Sequence, residues 1–180
     1  RVQLYGMVRH CDLFTPRQLV ALTTFSDLVA EARERVLADA RAAGLPDDGV
    51  PLAQGGRGAT AYADAVATYL AFAVGRSADR WCTIASWQSA ADKVRGAFAR
   101  QALPMVWDYA EANPFSDSTS NWAGAIEWVS ECLDTAPIAA LPGCVLQLDA
   151  TTLCESPPDW LFSTDPPYYD NVGYADLADF

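Results

Sequence analysis

Asp165-Pro166-Pro167-Tyr168 follows the apolar run Trp160-Leu-Phe-Ser-Thr164, and its residue types together suit chemistry on a flat, conjugated amine. Such an amine is a poor nucleophile while its lone pair is delocalised into a ring. A carboxylate such as Asp165 and the neighbouring carbonyl of Pro166 can accept the amine's N–H bonds. That favours a pyramidal nitrogen whose lone pair faces an electrophile, an arrangement of positioning and transition-state electrostatics. Proline lacks an N–H and fixes φ, so Pro166 and Pro167 in succession hold the turn and leave the carbonyl outward. Tyr168 offers a face on which a ring can stack. A Pro-Pro pair after a strand also serves as a rigid turn with no chemistry, and only the surrounding elements decide between the two.

Those elements begin upstream. Leu141-Pro-Gly143 closes one segment, Cys144-Val-Leu-Gln-Leu148 reads as a short buried strand, and Asp149-Ala150 follows at its carboxyl end. A loop with Pro157 and Pro158 leads to a second strand, Trp160 to Thr164, and then to the tetrapeptide. In an open α/β sheet, ligands sit outside the carboxyl ends of the strands, so Asp149 and Asp165 would share one rim. Asp149 is then a candidate for contacting a ligand on that rim, or an ordinary strand-ending turn cap. After the motif, Tyr169 would line a ring-binding pocket or pack the loop against the sheet. Asp170-Asn171 could cap a helix that starts at Tyr174 and carries Leu177 and Phe180.

The tetrapeptide resembles the active-site signature of amino-methyltransferases. Four stretches, Leu13 to Asp27, Arg100 to Phe115, Asn121-Trp-Ala-Gly124 and Ser163 to Asp179, extend the likeness over almost the whole chain. Through them the chain resembles the large adenine-specific DNA methylases that carry a zinc-ribbon insert, some of which accompany anti-phage systems. The resemblance implies an α/β, Rossmann-like methyltransferase fragment with a large, mainly helical insert, residues 1–140, followed by two catalytic strands and the loop in residues 141–180. It implies S-adenosylmethionine as cofactor and the N6 amine of adenine in DNA as target. Asp165, Pro166, Pro167 and Tyr168 would be catalytic, Tyr168 and Tyr169 would meet the base, and Asp149 the cofactor. The family's glycine-rich cofactor loop and zinc ribbon lie upstream of the matching region. The expectation is therefore an internal piece of a longer polypeptide, inactive in isolation, beside protein partners of a modification or defence system. Related signatures serve guanine in ribosomal RNA and cytosine in DNA, and the helical part could instead be a non-catalytic interaction or target-recognition module.

The 180 residues suffice for a core. No charge-poor apolar run is long enough to span a bilayer, and no signal-peptide pattern opens the chain, so no membrane partner is expected. Cys11, Cys82, Cys132, Cys144 and Cys154 include no Cys-x-x-Cys pair, which supports neither a disulfide framework nor a zinc ribbon and fits a reducing cytoplasm. His10 beside Cys11 lacks the further ligands of a zinc site, and no metal is expected. Charge is lopsided: residues 101–180 hold thirteen acidic residues and no Lys or Arg. Phosphate contacts dominate nucleic-acid affinity, so DNA would be gripped mainly outside this part. Arg76, Arg80, Lys93, Arg95 and Arg100, interleaved with Trp81 and Trp87, are the candidates within the chain, against a solvated helical surface with core tryptophans.

Helices must position these groups. Thr15-Pro16 with Gln18 predicts a capping box and proline at the first helical position. Leu19, Leu22, Phe25, Leu28, Val29, Ala32 and Val36 then form one apolar face that runs until Gly44. Residues 45–58 are rich in breakers, and a second helix is expected from about Ala59 to Arg80, burying Tyr62, Val66, Tyr69, Leu70 and Ala73 and pairing with the first. Gly55-Gly56-Arg57-Gly58 has no strand before it and reads as a mobile connector rather than a phosphate loop. A shorter helix is expected between Ser89 and Arg100, and another from about Trp122 to Leu133. Between them, the aromatic and acidic stretch Trp107 to Phe115 offers Asp108, Glu111 and Asn113 as polar candidates near a cofactor or base, or as simple caps.

Overall fold

The structure is a computed structural model. It describes residues 2–99, 101–136, 143, 145, 147–149, 161–166, 168 and 172–180. Helix α1 spans Pro16–Ala42. Its start is the expected capping box: Thr15 N–H donates to Gln18 Oε1 (2.8 Å) and Gln18 N–H to Thr15 Oγ1 (3.3 Å). Its end is equally local. Gly44 sits at φ +86°, its N–H bonded to Arg41 O, while Leu45 N–H reaches Ala40 O, a left-handed cap that ordinary side chains resist.

Helix α2, Ala59–Ala78, packs along α1 as a hairpin. Its buried residues are small: Ala59, Thr60, Ala61, Ala63, Ala73 and Ser77. Tyr62 and Tyr69, expected in the core, are exposed. Leu28 on α1 is likewise exposed. Arg33 on α1 reaches Asp64 on α2 at 2.7 Å, and Asp64 also accepts from Leu52 N–H, so one carboxylate ties both helices to the connecting loop.

That loop is tied down by hydrogen bonds to two of its aspartates. Asp47 accepts from Gly49 N–H and from Thr60 N–H (both 3.1 Å), the latter in the first turn of α2, and Asp48 accepts from Val50 and Arg57 N–H. Hydrogen bonding by Arg41 and these amides holds the Asp47 carboxyl well below the usual Asp range. A Cβ on Gly56 would lie 1.9 Å from Val50 O, so that position has no space for a side chain.

Residues 89–99, the described part of the stretch from Ser89 to Arg100, do not form the expected helix. Strands β1 (Ser86–Gln88) and β2 (Lys93–Arg95) make an antiparallel hairpin in which Trp87 pairs with Val94. Asp92 takes a left-handed turn at φ +49°. Beyond it, Ala97 N–H bonds Asp79 O (2.8 Å) and Phe98 N–H bonds Asp79 Oδ1 (2.9 Å). The carboxyl end of α2 thus claims the N–H groups a helix would have used internally.

Helix α3, Trp122–Thr135, is capped by Asn121, whose Oδ1 accepts from Gly124 N–H at 2.8 Å. It lies against α2, with the Arg76 guanidinium 3.9 Å from the centre of the Trp128 ring. An apolar core is built from residues outside α1, α2 and α3. Val2, Leu13, Cys82, Ile84, Ala85, Val94, Ala97 and Leu103 are buried in it. The short α4, Tyr174–Ala178, joins this core through Leu177, and Phe180 just beyond it stacks on Phe14 (centroids 5.4 Å) and meets Phe98 edge-on. No helix among the described residues is long and apolar enough to cross a membrane.

The expected catalytic strands, 144–148 and 160–164, fall partly outside the described residues, at 144, 146 and 160. The described remainder, 145, 147, 148 and 161–164, lies outside regular secondary structure, and Val145 and Leu161 are each 96 % exposed. The only sheet among the described residues is the β1–β2 hairpin.

Candidate functional site

Asp165 and Pro166 are exposed, and Tyr168 is about half exposed. The Tyr168 hydroxyl donates to Asp165 Oδ1 at 2.9 Å, and the Tyr168 N–H donates to the Tyr174 hydroxyl at 3.3 Å. The loop is thereby folded so that carboxylate and phenol meet across the prolines. The bond to the carboxylate favours the neutral phenol and raises the Tyr168 pKa above its ordinary value. Tyr174 begins α4, whose Leu177 packs into the apolar core with Phe180 beyond it, so the motif connects to the core. Asp149 is exposed and lies in an irregular segment. Pro167, Tyr169, Asp170 and Asn171 lie outside the described residues.

The aromatic and acidic stretch is drawn to α1. Arg17 Nε donates to Glu111 Oε1 at 2.6 Å, its second nitrogen pairs with Glu111 Oε2, and Thr15 Oγ1 adds a bond at 3.3 Å. These contacts, the Arg17 hydrogen bond foremost, lower the Glu111 pKa. Asn113 Oδ1 accepts from Phe115 N–H, and Pro114 O accepts from Trp122 N–H, fixing the segment to the start of α3. Between this wall and α1 runs a groove of about 670 Å³. Phe25, Trp81 and Phe115 give it aromatic walls, and Gln18, Glu111 and Asn113 supply polar groups. Phe25 is stacked on Trp122 at 4.3 Å. Asp108 does not line the groove.

The basic candidates do not form one patch. Arg80 pairs with Asp79 at 3.0 Å, Arg76 covers Trp128, and Lys93 and Arg95 stand on the hairpin. Arg100 lies outside the described residues. Trp81 is 1 % exposed and donates to Ser120 O at 2.7 Å, which makes it a core residue, whereas Trp87 is exposed. Cys11, Cys82 and Cys132 are free thiols, and burial pushes the Cys82 thiol up to about 11. Among the described residues no cluster of His, Cys, Asp and Glu could hold a metal ion.

Sequence reasoning reached Glu111 and Asn113 but treated Gln18 only as a cap and Phe25 only as core. The capping box itself carried the missed signal, since it occupies the amide oxygen of Gln18 and leaves the nitrogen unassigned. Comparison of the chain with protein-family profiles, with curated proteins and with solved structures finds no match.

Proposed function

We propose that this chain is part of an S-adenosylmethionine-dependent methyltransferase that acts on the exocyclic N6 amine of adenine in DNA. The observation that carries the reading is the Asp165-Pro166-Pro167-Tyr168 sequence on an exposed loop, with the Tyr168 hydroxyl held on the Asp165 carboxylate. The resemblance to adenine-specific DNA methylases supplies the substrate and the methyl donor.

In this reading the target amine displaces the Tyr168 hydroxyl from Asp165 and donates one N–H to that carboxylate and the other to the Pro166 carbonyl. The amine lone pair is thereby withdrawn from the ring. Tyr168, released from the carboxylate, stacks on the base, which must leave the duplex to reach an exposed loop. Asp149 is exposed, and neither Asp149 nor Asp165 lines the groove beside α1. In this reading the Asp165 loop holds and orients the target amine. The acidic balance of residues 101–180 places DNA contact mainly on other parts, and the free thiols fit a reducing cytoplasm.

The test is transfer of labelled methyl groups to adenine-containing duplex DNA by the protein that carries this chain, compared with its Asp165→Ala variant. Methyl transfer should fall about 10²–10³-fold, the cost of removing one preorganised transition-state contact, while cofactor affinity is spared. Equal loss of both would make Asp165 a structural or cofactor residue. Absence of transfer to any DNA, with transfer to RNA, would move the target to another planar amine.

A further inference from the structure

Helices α2 and α3 lie against each other but leave a furrow of about 170 Å³ along their contact. Tyr69 and Leu70 of α2 and Ile126, Val129 and Leu133 of α3 line it, and its lining is apolar apart from Ser130 and the Tyr69 hydroxyl. Tyr69, Ile126 and Leu133 are exposed. Phe72, 60 % exposed, meets Tyr69 edge-on at 5.9 Å and carries the apolar surface past the furrow. Joined apolar surface of this kind marks an interaction site. A drug-sized ligand takes about 300–1,000 Å³, so the furrow has room for the side chains of a partner rather than for a small molecule.

The charge around the furrow restricts that partner. Residues 59–75 and 122–135, the stretches of both helices that form it, contain Asp64, Glu127, Glu131 and Asp134 and no Lys or Arg. Asp64 is bonded to Arg33. Glu127, Glu131 and Asp134 are exposed and in no ion pair among the described residues. Each follows a lining residue, Ile126, Ser130 or Leu133, about 100° further round the helix, so the three form one acidic stripe beside the furrow. Beyond the furrow, the Arg76 guanidinium covers the Trp128 ring. A second copy of the chain in a two-fold contact would bring the same stripe to both sides. Nucleic acid and an anionic lipid surface are repelled by it. A helix with apolar residues on one face and Lys or Arg beside them suits both furrow and stripe.

We propose that the α2–α3 face docks a basic amphipathic helix of a partner protein, with its apolar side chains in the furrow and its cations on Glu127, Glu131 and Asp134. The furrow holds no residue of the Asp165 loop, so the proposal does not depend on methyl transfer.

The experiment is calorimetric titration of the protein at low salt with a synthetic Leu/Lys peptide of about five helical turns, its leucines all on one face. A peptide of the same composition with scattered leucines controls for the net charge of −11 on the protein. The patterned peptide should bind with a Kd of about 10 μM or tighter, and the scattered one at least about tenfold more weakly. Leu133→Ala should weaken the patterned peptide at least about fivefold. The triple variant Glu127→Gln, Glu131→Gln, Asp134→Asn should weaken it about tenfold. The equal charge change on α1, Asp27→Asn, Glu31→Gln, Asp39→Asn, should weaken it about twofold or less. No binding would overturn the proposal, as would equal binding of the two peptides, equal loss in the two triple variants, or a Leu133→Ala variant that binds like the parent. So would a dimer in sedimentation that Leu133→Ala abolishes, since the face would then belong to a second copy. All six carboxylates are exposed, so the triple variants decide even where Leu133→Ala fails to fold.

Discussion

Replacing Gly56 with alanine drives a methyl group into the loop that joins α1 to α2. An ideal Cβ there lies 1.9 Å from Val50 O and 2.6 Å from Val50 C, both backbone atoms, whereas real Cβ contacts essentially never fall below 3.0 Å. Relief therefore requires the backbone to move by roughly an ångström, and overpacking of this kind costs about 1–3 kcal/mol. The displaced segment also carries Asp47 and Pro46, which bond Thr60 and Ala59 N–H at the start of α2. Weakening one such bond adds about 0.5–1.5 kcal/mol. The expected loss is about 2–4 kcal/mol, or roughly 5–15 °C in Tm for a chain of this size. Gly75→Ala is the control: nothing lies within 4 Å of its would-be Cβ, and alanine in an exposed helix interior should stabilise by about 0.5–1 kcal/mol. Both are read by urea and thermal unfolding followed at 222 nm. An unchanged Tm for Gly56→Ala would refute the close-packed loop and return residues 55–58 to a mobile connector.

Asp47 makes a pH prediction whose sign follows from its lowered pKa. The folded carboxyl titrates below the ordinary Asp value of 3.8, so its contribution is full above that pH and is lost as pH falls through and beneath it. Asp47→Asn should lower the urea midpoint at pH 7, and the gap from the parent should narrow at pH 3; a gap constant with pH would refute this. Cys82, neutral and fully buried with its thiol pushed up to about 11, should resist iodoacetamide at pH 8 while exposed Cys11 and Cys132 react, as peptide mass mapping would show. Labelling of Cys82 at the rate of Cys11 would mean that its core opens readily.

The parts of the fold legible in sequence are those closed by short-range hydrogen bonds. Thr15, Pro16 and Gln18 announce the start of α1, Gly44 its end, and the start of α3 at Trp122 follows from local pattern, because each boundary is fixed within a few residues. The misreadings are where a distant partner intervenes. Tyr62 and Tyr69 have helical spacing, yet only the folded chain shows that the buried positions of α2 go to small residues. Residues 89–100 look helical until Asp79, on another element, takes the N–H groups of Ala97 and Phe98.

The candidate sites divide in the same way. Sequence by itself determined that Asp165 and Tyr168 are neighbours, since a carboxylate, a turn without donors and an aromatic ring within four residues need no folding to meet. It also determined that Gln18 would cap α1. Only the tertiary structure decided that Arg17 would meet Glu111, that Phe25 would face Phe115, and that the second half of the Gln18 amide would be buried with nothing to bond. Those contacts span some ninety residues of chain, and no local pattern encodes them, because long-range packing depends on how whole surfaces fit rather than on the spacing of any one segment.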